Sequence, residues 1–161
     1  MQINANTNII TDTIVVGKGP SSLVLDNNNK LWVLSSGGIN EDPGELNQID
    51  PSTNNISQTM VFSNLNNSPN NLKISSNGET LYYLNNGVNK LSVYAAALPS
   101  SPIINENGAV FYGLGISPTN DIYISDAVDY VQSGIIYRYD STALLKDQFS
   151  VGIIPQAFWF K

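Results

Sequence analysis

Two stretches of the chain gather acidic side chains that could act together. One is Ser35–Glu45, which holds Glu41, Asp42 and Glu45. The other is Ser125–Gly134, which holds Asp126, Asp129 and Tyr130. Carboxylate and carbonyl oxygens are the ligands of a hard cation such as Ca²⁺, and carboxylates beside a phenol also suit a polyhydroxylated ligand. The spacing matches no calcium-loop signature, and solvated loop acids are the plainer reading, since Asp and Glu are mostly exposed. Asp26, Asp50 and Asp140 each follow the last apolar residue of an apolar run. That position suits a carboxylate that caps the next turn.

The residues that are missing narrow the chemistry further. The chain has no His and no Cys. Ser-His-Asp and Cys-His hydrolases, thiolate zinc sites and disulfides are therefore excluded. An enzyme built from this chain must use carboxylates, Tyr, Lys, Ser or Thr, or a metal held by oxygen. Gly17-Lys18-Gly19-Pro20 is no phosphate loop, because no Lys-Ser/Thr pair closes it. Lys and Arg number 7 against 13 Asp and Glu, a net charge of −6. This balance lacks the basic footprint of a nucleic-acid binder and disfavours anionic lipid. There is no apolar run long enough to cross a membrane as a helix, and the residues after Met1 do not form a secretory signal.

The elements that must position these residues are short. Among 161 residues 22 are Asn, and charged residues make up only 12%. Asn is a poor helix former and a good turn former, so the composition favours many short strands joined by tight turns. A repeat confirms that preference. Pro20–Asp26 is followed by Asn27–Lys30 and then Leu31-Trp32-Val33-Leu34. Pro69–Ser75 leads through Ser76–Thr80 to Leu81-Tyr82-Tyr83-Leu84. Phe111–Ser117 leads through Pro118–Asp121 to Ile122-Tyr123-Ile124-Ser125. Each is a strand, a polar turn and a second strand. Pro155–Lys161 begins the pattern again.

Third strands follow around Leu46–Asp50, Lys90–Tyr94 and Ile135–Tyr139, and the N-terminal Gln2–Ile10 fits that register too. Fourth strands are predicted at Asp12–Val16 and Gln58–Phe62. The link Val16-Gly17-x-x-Pro20 recurs as Val151-Gly152-x-x-Pro155. Four strands in about 45 residues fit one blade of a β-propeller. Apolar residues alternate in each first strand, and Trp32, Tyr82, Tyr83 and Tyr123 supply bulk for packing between blades. The predicted fold is all-β: a propeller of four-stranded antiparallel blades, with about three and a half blades in this chain. Repeat units fall at about 20–68, 69–110 and 111–154, with partial blades at 1–19 and 155–161 of a single domain. The second-to-third links, which include both acidic stretches, should open on the same face as the fourth-to-first links.

The Val-Gly-x-x-Pro link (Val16, Gly17, Pro20), the hairpin residues Asp26, Leu31, Trp32 and Val33, and the strand residues Ile49, Asp50, Thr53 and Asn54 resemble YVTN-type β-propeller repeats. More narrowly they resemble surface-layer-like propellers of secreted bacterial cell-surface lipoproteins. Phe111 departs from the pattern where Pro20 and Pro69 stand. The resemblance implies an extracytoplasmic location, at the cell surface, in the periplasm or secreted. The chain then reads as a half-ring or fragment of a larger propeller, expected to associate with a second copy or with parent-chain blades.

The leading expectation is a non-catalytic binding or scaffold module that presents its loops to a glycan, peptide or protein. Its rim would be Glu41, Asp42, Glu45, Asp126, Asp129 and Tyr130, with no catalytic residue and no cofactor beyond a candidate Ca²⁺. One alternative is a lactonase-like hydrolase with an oxygen-ligated divalent metal. Another is a purely structural surface-assembly protein.

Overall fold

A computed structural model describes residues 1–38 and 40–161; Ile39, inside the first acidic stretch, lies outside the described residues. Every regular element described is a strand. They run β1 Gln2–Asn4, β2 Ile9–Asp12, β3 Pro20–Leu25, β4 Leu31–Ser35, β5 Glu45–Asp50, β6 Asn55–Val61 and β7 Asn70–Ile74. They continue β8 Thr80–Leu84, β9 Val88–Ser92, β10 Phe111–Ile116, β11 Ile122–Asp126, β12 Ile135–Tyr139 and β13 Leu145–Ser150. They form four antiparallel sheets in chain order: the hairpin β1-β2, then β3-β4-β5-β6, β7-β8-β9 and β10-β11-β12-β13. The three larger sheets stack as blades, with β3, β7 and β10 side by side at the centre.

The stacking follows from alternation along the second strand of each blade. In β8, Leu81 and Tyr83 turn toward the first blade, where they join Trp32, Leu34, Leu46, Met60 and Phe62. Tyr82 and Leu84 turn the other way and join Leu114, Ile122 and Ile124 of the third blade. Tyr82 and Tyr83 are 2% and 1% exposed. Phe62 meets the Tyr83 ring edge-on, with centroids 5.6 Å apart.

The turns explain the asparagine content. Among the described residues twelve non-glycine residues have positive φ, and eight of them are Asn. A left-handed backbone suits Asn because its short side chain bonds locally. The predicted aspartate caps are present. Asp26 Oδ1 accepts the N–H groups of Asn28 and Lys30, each at 2.8 Å, and Oδ2 accepts from Trp32 Nε1 at 2.9 Å. Asp50 accepts from Ser52 and from Lys30 Nζ at 2.6 Å, and Asp140 accepts from Thr142 and Leu144.

Three expectations need correction. The second blade has three strands, not four. After β9 the chain enters Leu98-Pro99-Ser-Ser-Pro102. Two prolines without N–H groups cannot build a ladder there. What remains of a fourth strand is one bridge, Val88 with Ile104. The N-terminal fourth strand is Ile9–Asp12 and not Asp12–Val16: the ladder with β1 runs from Asn4 opposite Ile9 to Gln2 opposite Asp12, and residues 13–16 carry no pairing. Pro155–Lys161 forms no ladder. It lies in the place of a first strand, with no second strand beside it, and packs by side chains. Tyr123 meets Phe158 and Phe160 at 5.9 and 5.2 Å.

Two outcomes test this account. Tyr83→Ala should lower the unfolding free energy by about 3–5 kcal/mol, the usual cost of removing a buried aromatic ring, read from urea unfolding. Asp50 is held well below the usual carboxylate range, first by Lys30 and then by Ser52. Asp140 is also lowered, first by the Thr142 hydroxyl. A carboxyl depressed in the folded state stabilises fully above its unfolded value, near 3.8, and loses that contribution as pH falls further. The urea midpoints of the parent and of Asp50→Asn should therefore differ at pH 7 and converge below pH ~4. A gap independent of pH would refute this assignment.

Candidate functional site

The innermost strands line a cavity at the axis of the stacked blades. Strand pairing slips by one residue near the start of each: between Pro20 and Ser22, between Asn70 and Lys73, and between Phe111 and Gly113. A bulge re-aims the residue it inserts. Ser21, Asn71 and Tyr112 sit in these slips, and all three line one axial cavity of about 560 Å³. Ser22, Asn70, Lys73, Phe111, Tyr130 and Gln156 complete its wall. The wall thus draws on three blades, on one second-to-third link and on the C-terminal segment.

Side chains brace the cavity. Ser22 Oγ accepts the Leu72 N–H at 3.0 Å. Asn71 has φ of 56°, and its Nδ2 donates to the Tyr112 carbonyl at 3.0 Å and to Asn70 Oδ1 at 2.7 Å. Ser125 Oγ donates to the Pro155 carbonyl, which fixes the C-terminal segment beside β10 and β11. Gly113 permits that approach: a Cβ there would stand 2.2 Å from the Gln156 carbonyl oxygen. Tyr130 also has positive φ, 64°, and its ring meets Tyr112 edge-on at 5.7 Å. A left-handed tyrosine costs about 1–2 kcal/mol, so its placement over the cavity is held by its surroundings.

The links behave as predicted. Gly19 and Lys18 carbonyls accept from Ser36 and Gly37, and Gly134 exchanges backbone bonds with Val151 and Gly152, so both kinds of link share a face. The residues of the predicted acidic rim each have partners close by. Glu41 and Asp42 pair with Lys18, and Glu45 Oε2 accepts from Asn47 at 3.1 Å. Asp129 is held down to about 2 by the Gln132 N–H, its side-chain amide and the Val131 N–H. Asp126 is buried, and its Oδ1 accepts from Val110 and Val128. It borders a separate cavity of about 370 Å³ with Glu106, Tyr137 and Tyr139. Burial pushes the Glu106 carboxyl up, and the Asp126 charge adds to that. Of the six residues read from the sequence, only Tyr130 reaches the axial cavity. Among the described residues no three Asp or Glu side chains stand together as a metal-binding group.

Sequence reasoning missed Ser21, Asn71, Tyr112 and Lys73. The available signal was the polar pair ahead of each alternating run: Ser21-Ser22, Asn70-Asn71 and, in part, Tyr112-Gly113. Small polar residues there interrupt the apolar pattern where the strand bulges.

No known protein family's sequence profile and no curated protein sequence matches the chain. Solved structures do. One is a quinonprotein alcohol dehydrogenase-like protein from Bacteroides thetaiotaomicron, with TM-score 0.63 and 14% identity over 81% of this chain and 33% of that one. A second is the Dos1 propeller, with TM-score 0.55 and 14% identity over 89% and 38%. A third is a putative 6-phosphogluconolactonase from Bacteroides uniformis, with TM-score 0.62 and 14% identity over 94% and 50%. The chain spans from a third to half of these chains. At this identity the likeness shows the fold: the chain is a β-propeller fragment of stacked antiparallel blades.

Proposed function

We propose that the chain is a non-catalytic binding module whose axial cavity takes a saccharide. The observation that carries this reading is the wall itself. Three bulges aim Ser21, Asn71 and Tyr112 into one cavity, and Ser22, Asn70, Tyr130 and Gln156 join them. Hydroxyls and amides both donate and accept, which suits the alternating hydroxyls of a sugar. An aromatic pair offers a flat apolar surface for a sugar ring's apolar face. Among the described residues the wall holds no carboxylate. A lactonase-like hydrolase that used a carboxylate as base or as a charged metal ligand would find none in this wall, whose oxygen donors are neutral hydroxyls and amides.

Lys73 gives the wall its charge preference. It is half-buried, and among the described residues no carboxylate forms an ion pair with it. Its ammonium suits a sugar acid, through a charge-assisted hydrogen bond. The YVTN-like motifs support an extracytoplasmic setting, where glycans with uronic acids would be met, on a cell-surface propeller of the surface-layer-like kind.

Calorimetric titration with uronate-containing and neutral oligosaccharides tests the reading. The expected result is binding that prefers the acidic series. Lys73→Met should weaken that series by about 10- to 100-fold, the loss of one charged hydrogen bond, and spare the neutral series. Tyr130→Ala should weaken both. No heat with either series would refute saccharide binding.

A further inference from the structure

The first blade has a face unlike those of the others. Leu23 and Leu25 on β3 are 64% and 55% exposed, whereas Leu72 and Leu114, the equivalents of Leu23, are both 1% exposed, and Ile74 and Ile116, the equivalents of Leu25, are half-buried. These positions look toward the preceding blade. Leu72 rests in the cluster of Trp32 and Leu34, and Leu114 in the cluster of Tyr82 and Leu84. Leu23 has only the hairpin β1-β2 before it. Between that hairpin and the sheet lies an apolar hollow of about 320 Å³, lined by Ile14, Val16, Leu23, Leu31, Val33 and Ile49 among others. Leu31 and Val33 occupy the repeat positions of Leu81 and Tyr83, which bury against the second strand of the preceding blade. The hairpin supplies a third and a fourth strand there, but no second.

The opposite end carries the complement. Phe158 and Phe160 turn back onto Tyr123, while Trp159 between them is 78% exposed. At its repeat position stand Val24, Lys73 and Gly115. Val24 packs on the cluster that contains Leu72, and Gly115 lies directly beneath Phe158. Val24 and Gly115 thus meet the first apolar residue of the next innermost strand or its surroundings, whereas Lys73 lines the axial cavity. Trp159 is the next member of that series, and the exposed pair Leu23 and Leu25 is the next surface.

We propose that two copies associate head to tail, with Trp159 of each seated in the Leu23/Leu25 hollow of the other. The indole is larger than Val24 or Gly115, which suits a hollow that lacks second-strand side chains. Two junctions related by a two-fold axis close the ring and leave neither surface over. Three blades and one shared, split blade from each copy give a ring of about eight blade positions, within the range of known propellers.

Light scattering on the 1–161 chain across a hundredfold concentration range tests this. The expected mass is that of two chains, with Trp159 fluorescence shifting to the blue as dimer forms. Trp159→Ala and Leu23→Asp change exposed side chains, so both should stay folded by circular dichroism and become monomeric. Leu144→Asp, at an equally exposed apolar residue on the β12–β13 turn, 66% exposed, should leave the dimer intact. A parent chain of monomer mass at every concentration would overturn the proposal. So would association that survives Trp159→Ala and Leu23→Asp, or that Leu144→Asp also abolishes.

Discussion

A blade in this chain is apolar on both faces, and the rest of the structure depends on that constraint. A half-buried antiparallel strand normally alternates apolar and polar residues. Strand β8 does not: Leu81 and Tyr83 need cover on one side, Tyr82 and Leu84 on the other. Burying either pair alone leaves two large side chains in water. The sheet is therefore stable only between two neighbours, and each neighbour inherits the same demand. Stacking, not hydrogen bonding between sheets, joins the blades. The few polar ties at the turns, such as Asn27 N–H to the Gly78 carbonyl at 3.1 Å, lock an alignment that packing has already set.

Stacking blades about an axis brings their first strands together at the centre, and that creates a second constraint. Each inner strand pairs on one side only, so its axial edge has backbone groups without a ladder, and such groups need partners. Short polar side chains fill that need: Ser22 takes the Leu72 N–H, and Asn71 reaches the Tyr112 carbonyl. The polar residues that satisfy the inner edges are the same residues, or the immediate neighbours of those, that line the axial cavity. A cavity wall of hydroxyls and amides is thus a by-product of closing the backbone's hydrogen bonds. The fold supplies it before any ligand is considered.

Much of this was legible in the sequence. The repeat revealed the hairpins, the second-strand aromatics and the aspartate caps, because each depends on local spacing of two, four or about 45 residues. What was hidden depends on geometry with no fixed spacing. The bulges at Ser21, Asn71 and Tyr112 change register by one residue, which an alignment of apolar positions does not record. The missing strand of the second blade was written in Pro99 and Pro102, but the strength of the repeat on either side masked it. The acidic loops are a different case. Acids gathered in sequence acquire local partners as they fold: Lys18 for Asp42, the Gln132 and Val131 N–H groups for Asp129, the Val110 and Val128 N–H groups for Asp126. Their proximity in the chain is used up by the loops themselves.

That distribution of charge also bears on how an acidic ligand could approach a protein of net charge −6. At physiological ionic strength, charges more than about 8 Å apart through solvent are largely screened. The rim acids are each engaged by a cation, by backbone donors or, for Glu45, by the Asn47 amide, whereas Lys73 stands in a partly enclosed cavity where screening is weaker. A carboxylate that reaches the axis therefore meets the ammonium at short range, with the net charge felt only faintly. The same arrangement slows its arrival, because the long-range field outside the cavity is negative. Under the proposed reading, recognition is governed by the dissociation rate and by the fit of the wall, so the wall's amides and tyrosines matter as much as the lysine charge.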